Sequence, residues 1–262
     1  MDSVLSPFKV AFADDSSTQA PLSLAPNPTK KLSCDLDIGR FMRIPIRTSV
    51  VTRADHLESL LDTYVLSHLI PGDIVVISEK VVAITQGRGF PISEIRPTRL
   101  AFFLCRFVYK SPYGIGLGSP WTMELALKEA GVLRVIFAAA IACIGKIVGI
   151  KGLFYQICGR GVAAIDGPCS YTLPPYNEWA ILGPKNAPAV AKQLSQHLNT
   201  GVAIVDINDL GAAILGSYAT HLSKKDLCEI LHDNPLGQSK EQTPIGIIRR
   251  ADSNEVLIDE ER

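Results

Sequence analysis

Residues 40–51, RFMRIPIRTSVV, place Phe41, Ile44, Ile46, Val50 and Val51 in a β-rich apolar pattern, and Pro45 points to an edge position because proline donates no ladder hydrogen bond. Thr52 and Asp55 then make a capping-box pattern ahead of Leu57, Leu60, Leu61 and Tyr64 at helical spacing, which predicts a helix. Pro71-Gly72 turns that helix into GDIVVISEKVVAITQGRG, residues 72–89. Here four apolar β-formers, Ile74 to Ile77, run into Ser78-Glu79-Lys80 before a second apolar run, Val81 to Ile84, which ends at Gly87-Arg88. The segment reads as a buried strand broken by a polar kink. Strand, helix and strand in such quick succession predict an α+β fold.

Further along, Ser119 is a candidate N-cap with Pro120 at the first helical position, and the helix it opens stops at Gly131. Residues 132–157 are the most apolar of the chain, but Arg134, Lys146 and Lys151 cut them into pieces shorter than the roughly 20 residues of a membrane span, so they are expected to be buried core. Val190, Leu194 and Leu198 predict a helix over about 188–198, Ser223 and Asp226 a capping box, and TPIGIIRR at 243–250 a closing strand. Two segments echo each other as glycine, apolar run and aspartate: GVAAIDG (161–167) and GVAIVDINDLG (201–211). Both are read as strands that end in carboxylates. Residues 1–35, rich in Ser, Pro, Ala and Thr, are expected to form a mobile extension.

Composition narrows the partners. The 262 residues carry 26 basic and 26 acidic side chains, so no net field favours nucleic acid or anionic lipid, and neither is expected as a partner. Six cysteines without a C-x-x-C pair suit reduced thiols, and Asp2 with Asp14-Asp15 interrupts the pattern of a secretory leader, so a cytoplasmic location is expected.

Four features bear on chemistry. Asp166, Asp206, Asn208 and Asp209 offer the hard oxygen ligands that Mg2+ or Mn2+ prefers, although Asp and Asn equally cap turns. Glycines 114, 116 and 118 precede a helix N-terminus, where backbone N–H groups suit an anion, or serve only a tight turn. The five histidines lack a zinc-binding spacing, and no G-x-S-x-G supplies a serine nucleophile. Ser78-Glu79-Lys80 is costly inside an apolar segment unless partnered; it marks either a solvent-reaching strand end or a ligand-facing kink from which Ser78 and Lys80 meet phosphate oxygens.

The Ile-Pro-Ile-Arg of residues 44–47, followed by a helix and then by residues 72–88, resembles the start of the coenzyme F-420: gamma-L-glutamyl ligase family, and the likeness runs more loosely to about residue 250. The resemblance implies two intertwined mixed α/β subdomains with predominantly antiparallel sheets, here about 36–110 with 235–262, and 111–234. It implies a homodimer that binds GTP and Mg2+ or Mn2+ and joins an amino acid, L-glutamate in the family, to a small-molecule acceptor through an amide bond. Carried over by position, Ile44, Pro45, Ile46, Arg47, Ser78 and Glu79 would contact the nucleotide, and Asp166 would be the first metal aspartate. The second metal motif departs: where the family has Asp-Thr-Phe-Gly this chain has Asn208-Asp209-Leu210-Gly211, with Asp206 upstream. That departure keeps open a non-catalytic nucleotide- or metabolite-binding protein, or a hydrolase using the same aspartates. No catalytic residue is assigned.

Overall fold

The computed structural model describes residues 25–108, 116–150, 152–209 and 211–251. In chain order the elements are β1 (Ser33–Leu36), β2 (Gly39–Ile46), α1 (Leu57–Tyr64), β3 (Ile74–Ser78), α2 (Glu79–Thr85), β4 (Gly89–Pro91), α3 (Arg99–Leu104), α4 (Pro120–Ala130), α5 (Val132–Ile147), α6 (Leu153–Cys158), α7 (Arg160–Ala163), β5 (Trp179–Ile181), α8 (Ala187–Leu198), β6 (Gly201–Asn208), β7 (Gly211–Tyr218), α9 (Lys224–Ile230) and β8 (Ile245–Arg250). Six strands form one mixed sheet in the order β1-β2-β8-β3-β6-β7, and β4 pairs with β5 in a small second sheet. Every pairing is antiparallel except β3 with β6. The fold is α+β.

Period-two alternation distributes the central strands between two cores. Val75 and Ile77 of β3, Val202 and Ile204 of β6, and Ile245 and Ile247 of β8 pack under α1, α2 and α8. Ile74, Val76, Ala203, Val205 and Ile248 face the other way, onto Leu227, Ile230 and Leu231 in and just after α9. A third core, built on Leu117, Met123, Leu127, Val135 and Val162, joins the helices between β4 and β5.

Several expectations from the pattern hold. Ser119 caps α4 by accepting from Thr122 N–H, and Ser223 and Asp226 form a complete capping box on α9. Pro45 has its edge, but only locally. β2 is an interior strand, yet β1 pairs with it no further than Met42. The Arg43 N–H points to the β1 side, where it donates to Leu32, so the Pro45 nitrogen two residues on faces the same side beyond the end of β1.

Other expectations are corrected. Val81 to Ile84 continue as α2 rather than as strand; a short apolar run looks the same in a buried helix and a buried strand. Gly161 to Gly167 is not a strand either: its start lies in α7, and Asp166 forms an isolated bridge with Ile181. Asp55 accepts from Thr52 N–H and Oγ, but this turn precedes a helix whose N-cap is His56. Residues 1–24 of the expected extension lie outside the described residues, whereas 25–35 include β1 and a buried Asn27 that donates to Pro235 O and Thr243 Oγ1. Residues 132–157 are not core throughout, for α5 buries only Val135, Ala138 and Gly145. Among the described residues no single helix is long and apolar enough to cross a membrane.

Gly216 of β7 shows how closely α8 lies on the sheet. A Cβ there would come within 2.4 Å of the backbone of Ala187 and Pro188, which cannot swing aside as a side chain would. Gly216→Ala is expected to destabilise the fold by about 1–3 kcal/mol through overpacking, read as a lower midpoint in urea with an unchanged m-value.

Candidate functional site

The site forms where β3 ends beside β6. Their parallel register pairs Ser78 with Val205, so Glu79, where the chain leaves the sheet, and Asp206, which continues β6 opposite Ala213 of β7, come at the same end. Crevices at the carboxyl ends of parallel strands are where open α/β sheets bind ligands. Ser78 N–H donates to Pro244 O, and the chain then turns directly into α2, which makes Glu79 its first residue and Lys80 its second. Asp166 is brought in from the far side by paired backbone hydrogen bonds with Ile181, each 2.9 Å. Its Oδ2 lies 2.7 Å from Lys80 Nζ.

These groups open into a cleft of about 840 Å3. Ser78, Glu79, Lys80, Asp166, Asp206, Asn208 and Asp209 all line it. Sequence reading missed the aromatic part of the lining, to which Tyr171, Tyr176 and Trp179 contribute. Tyr176 packs edge-on to Trp179 with ring centroids 5.0 Å apart, and its hydroxyl donates to Val51 O. The Arg53 guanidinium lies 4.9 Å from the Trp179 ring centroid. Gln238 and Gln242 arrive from the segment before β8. No motif announced these residues, because each comes from a separate loop.

The Ile-Pro-Ile-Arg segment is placed differently. Ile44 and Ile46 are core side chains, Pro45 is buried between them, and Arg47 is exposed and donates to Gln242 Oε1. None of the four lines the cleft, which the same stretch reaches one residue later, at Thr48 to Val51. Of the glycine loop, Gly114 lies outside the described residues; Gly118 and Ser119 are buried, and none of residues 116–119 lines the cleft.

Electrostatics single out Glu79. Burial, then the charges of Asp206 and Asp166, push its carboxyl up to about 8, against a smaller opposing effect of Lys80. Its Oε2 is buried and has no hydrogen-bond partner. Burial and Asp166 also raise Asp206. Burial alone would lower the Lys80 ammonium, but its contact with Asp166 and the charges of Glu79 and Asp206 outweigh that and raise it. Lys80 is thus the cation that balances three carboxyl groups. Asp209 stands apart, ion-paired with Lys30 at 2.8 Å, and Asn208 lies opposite Gly211 at the end of β6.

The donor chemistry suits a hard divalent cation: the ligands on offer are oxygens, they carry excess negative charge, and one of them is a buried orphan. As the side chains stand, no three of His, Cys, Asp or Glu among the described residues are grouped to hold an ion. The fit is therefore one of chemistry and charge.

The family model for F420-0:gamma-glutamyl ligase matches residues 45–210, which takes in the cleft from Thr48 through Asp209. The chain belongs to the F420-0:gamma-glutamyl ligase family. No curated protein matches it. For this family member the match runs through β3, α2, Asp166 and Asp206, the elements that assemble the charged cluster. It ends at residue 210, so Gln238 and Gln242 are additions from outside the matched stretch.

Because Glu79 holds its proton in the folded ligase to about pH 8 but releases it near 4.5 when unfolded, the folded state binds the extra proton between those values, and stability falls as pH rises through that window. Asp206, also raised, acts in the same sense. Melting temperature of the metal-free protein is expected to drop from pH 5 to pH 8 and to level off above it. Glu79→Gln should remove most of that slope; an unchanged slope would place the Glu79 titration elsewhere.

Proposed function

We propose that this ligase binds a nucleoside triphosphate with Mg2+ or Mn2+ in the cleft and forms a gamma-glutamyl or related amide bond through an acyl phosphate. The observation that carries the reading is the cluster of Glu79, Lys80, Asp166 and Asp206 at the shared end of β3 and β6, opening onto an aromatic wall. An acceptor carboxylate attacks the γ-phosphorus as the bond to the leaving nucleoside diphosphate breaks. The amino group of the incoming amino acid then displaces phosphate from the acyl carbon and loses a proton. Net, acid, amine and triphosphate become amide, diphosphate and phosphate.

Such a reaction asks the protein mainly for positioning and charge stabilisation. Glu79, Asp166 and Asp206 would hold a divalent cation, which when bound neutralises triphosphate charge. Ser78 and Lys80, at the start of α2, meet phosphate oxygens; the ammonium is a point charge that can move from Asp166 to an incoming anion. Tyr176 and Trp179 add aromatic surface to the cleft lining, where a planar group, either the base or the acceptor, could pack. Glu79, protonated at neutral pH while the cluster lacks a second cation, gives up its proton when one arrives.

Asp166→Asn keeps shape while removing a charge that partners a half-exposed Lys80, so the fold should survive. Turnover, followed as nucleotide-dependent phosphate release and by mass spectrometry of products with GTP or ATP, Mn2+ and L-glutamate, should fall on the order of 10²-fold. Equal turnover in the variant and the wild type would remove Asp166 from the machinery.

The non-catalytic reading draws on one observation: position 208 offers a neutral amide, and the carboxylate beside it, Asp209, is engaged by Lys30. Asn208→Asp separates the cases. If an ion sits at the end of β6, the added anionic oxygen tightens Mn2+, seen as a thermal shift at lower Mn2+ concentration. If none sits there, the variant is destabilised by clustered charge and Mn2+ does not restore it.

A further inference from the structure

Lys30 lies ahead of the stretch that the family model matches, yet its side chain reaches the end of β6. Its backbone is pinned on both sides. Buried Asn27 donates from Nδ2 to Pro235 O at 2.9 Å and to Thr243 Oγ1 at 2.8 Å, and its own carbonyl accepts from Lys30 N–H. Leu32 is buried in the core that holds Ile44 and Ile46, and its carbonyl accepts from Arg43 N–H. Between these anchors the Lys30 ammonium lies 2.8 Å from Asp209 Oδ1 and donates to Asp233 O at 2.7 Å. Asp209 is held as well, since its N–H donates to Gln238 Oε1 at 2.9 Å. Exposed ion pairs gain little because two long side chains must be ordered. Here the Lys30 side chain is only 16% exposed, and the fold has already fixed its backbone.

The charges around the end of β6 form two unequal groups. In one, the carboxyl groups of Glu79, Asp166 and Asp206 share the ammonium of Lys80. In the other, the single carboxylate of Asp209 meets the single ammonium of Lys30, and position 208 beside it is a neutral amide. The first group lacks positive charge, whereas the second is balanced. A divalent ion on the other oxygen of Asp209 would share one carboxylate with the ammonium, and like charges that close repel. The residues of the second metal motif therefore do not fit an ion while Lys30 is in place.

We infer that Lys30 is a tethered cation that takes the place of a second divalent ion at Asp209, so that the cleft holds one ion and not two. Unlike an ion it cannot dissociate, which makes the positive charge at this position independent of metal concentration. Without the ammonium, Asp209 Oδ1 and Asp233 O would converge on the point it now fills. Two oxygens with one negative charge make a weak site for a hard cation. The ion at Glu79, Asp166 and Asp206 rests on the function proposed above; the exclusion at Asp209 stands without it.

The test counts Mn2+ bound per full chain, without nucleotide, from the electron paramagnetic resonance signal of the free ion. Lys30→Gln is expected to bind one ion more than the wild type, with a dissociation constant on the order of 10⁻⁴–10⁻³ M, and adding Asp209→Asn should remove it. Lys30→Met, which keeps the apolar stem and needs no new hydrogen-bond partner, should gain the same ion. Lys30→Arg, which keeps the charge, should not. Millimolar Mn2+ should accordingly raise the melting temperature of Lys30→Gln more than that of its Asp209→Asn double variant. An unchanged count in both Lys30→Gln and Lys30→Met makes the pair purely structural and overturns the inference. So does an extra ion that survives Asp209→Asn, or a wild type that already binds one lost on Asp209→Asn. Failure of the Glu79 cluster as an ion site reads differently, as a wild-type count that Asp166→Asn does not lower.

Discussion

The parallel pairing of β3 with β6 is the constraint on which the site depends. Only a parallel ladder brings both carboxyl ends to one edge; in an antiparallel pair Glu79 and Asp206 would point from opposite ends. The pairing is held at its other end as well. Thr200, immediately before β6, donates to the carbonyl of Asp73, immediately before β3, at 2.6 Å. Arg249 of β8 grips the Asp73 carboxylate through Nε and Nη2 at 2.9 and 2.8 Å, a buried bidentate contact. With both sheet faces covered, a slip of one residue would exchange the side chains of the two cores, setting Val75, Ile77, Val202 and Ile204 where Ile74, Val76, Ala203 and Val205 are packed. Core packing therefore sets the position of the charged residues to within a rung.

What the core places at that edge is electrostatically unfavourable. Three carboxyl groups share one ammonium, and one carboxyl oxygen is buried without a partner. Burial of an unpaired charge is avoided here by protonation of Glu79, and the cluster is least strained when another positive charge enters. That cost is what the proposed cation would relieve.

The helices between β4 and β5 supply the opposite kind of surface. They close the far side of the cleft through α7 and the Asp166 bridge, yet their outer side is apolar and cationic rather than mixed. Residues 96–165 carry nine Lys or Arg and two Glu, an excess offset in the sequence mainly by residues 1–24 and 252–262, which carry eight acidic and two basic side chains.

How far the residues alone reached is clear from particular elements. Alternation and caps determined β2, β3, β6, β8, α4, α8 and α9, because these signals are local and repeat every two or 3.6 residues. The Asp166 and Asp206 echo and the polar triplet at 78–80 were legible as chemistry, since charged groups beside apolar runs demand partners. Which partners they have was not legible. That Lys80 meets Asp166, that Glu79 is the buried orphan, and that Tyr176 and Trp179 line the same cleft all depend on contacts between segments far apart in the chain. The strand-like run at 81–84 became α2 because a short apolar stretch has no period of its own. Nor could the hydropathy of 132–147 say which side of a helix meets a core. Apolarity is a property of the residue, but burial is a property of what the rest of the fold leaves room to cover.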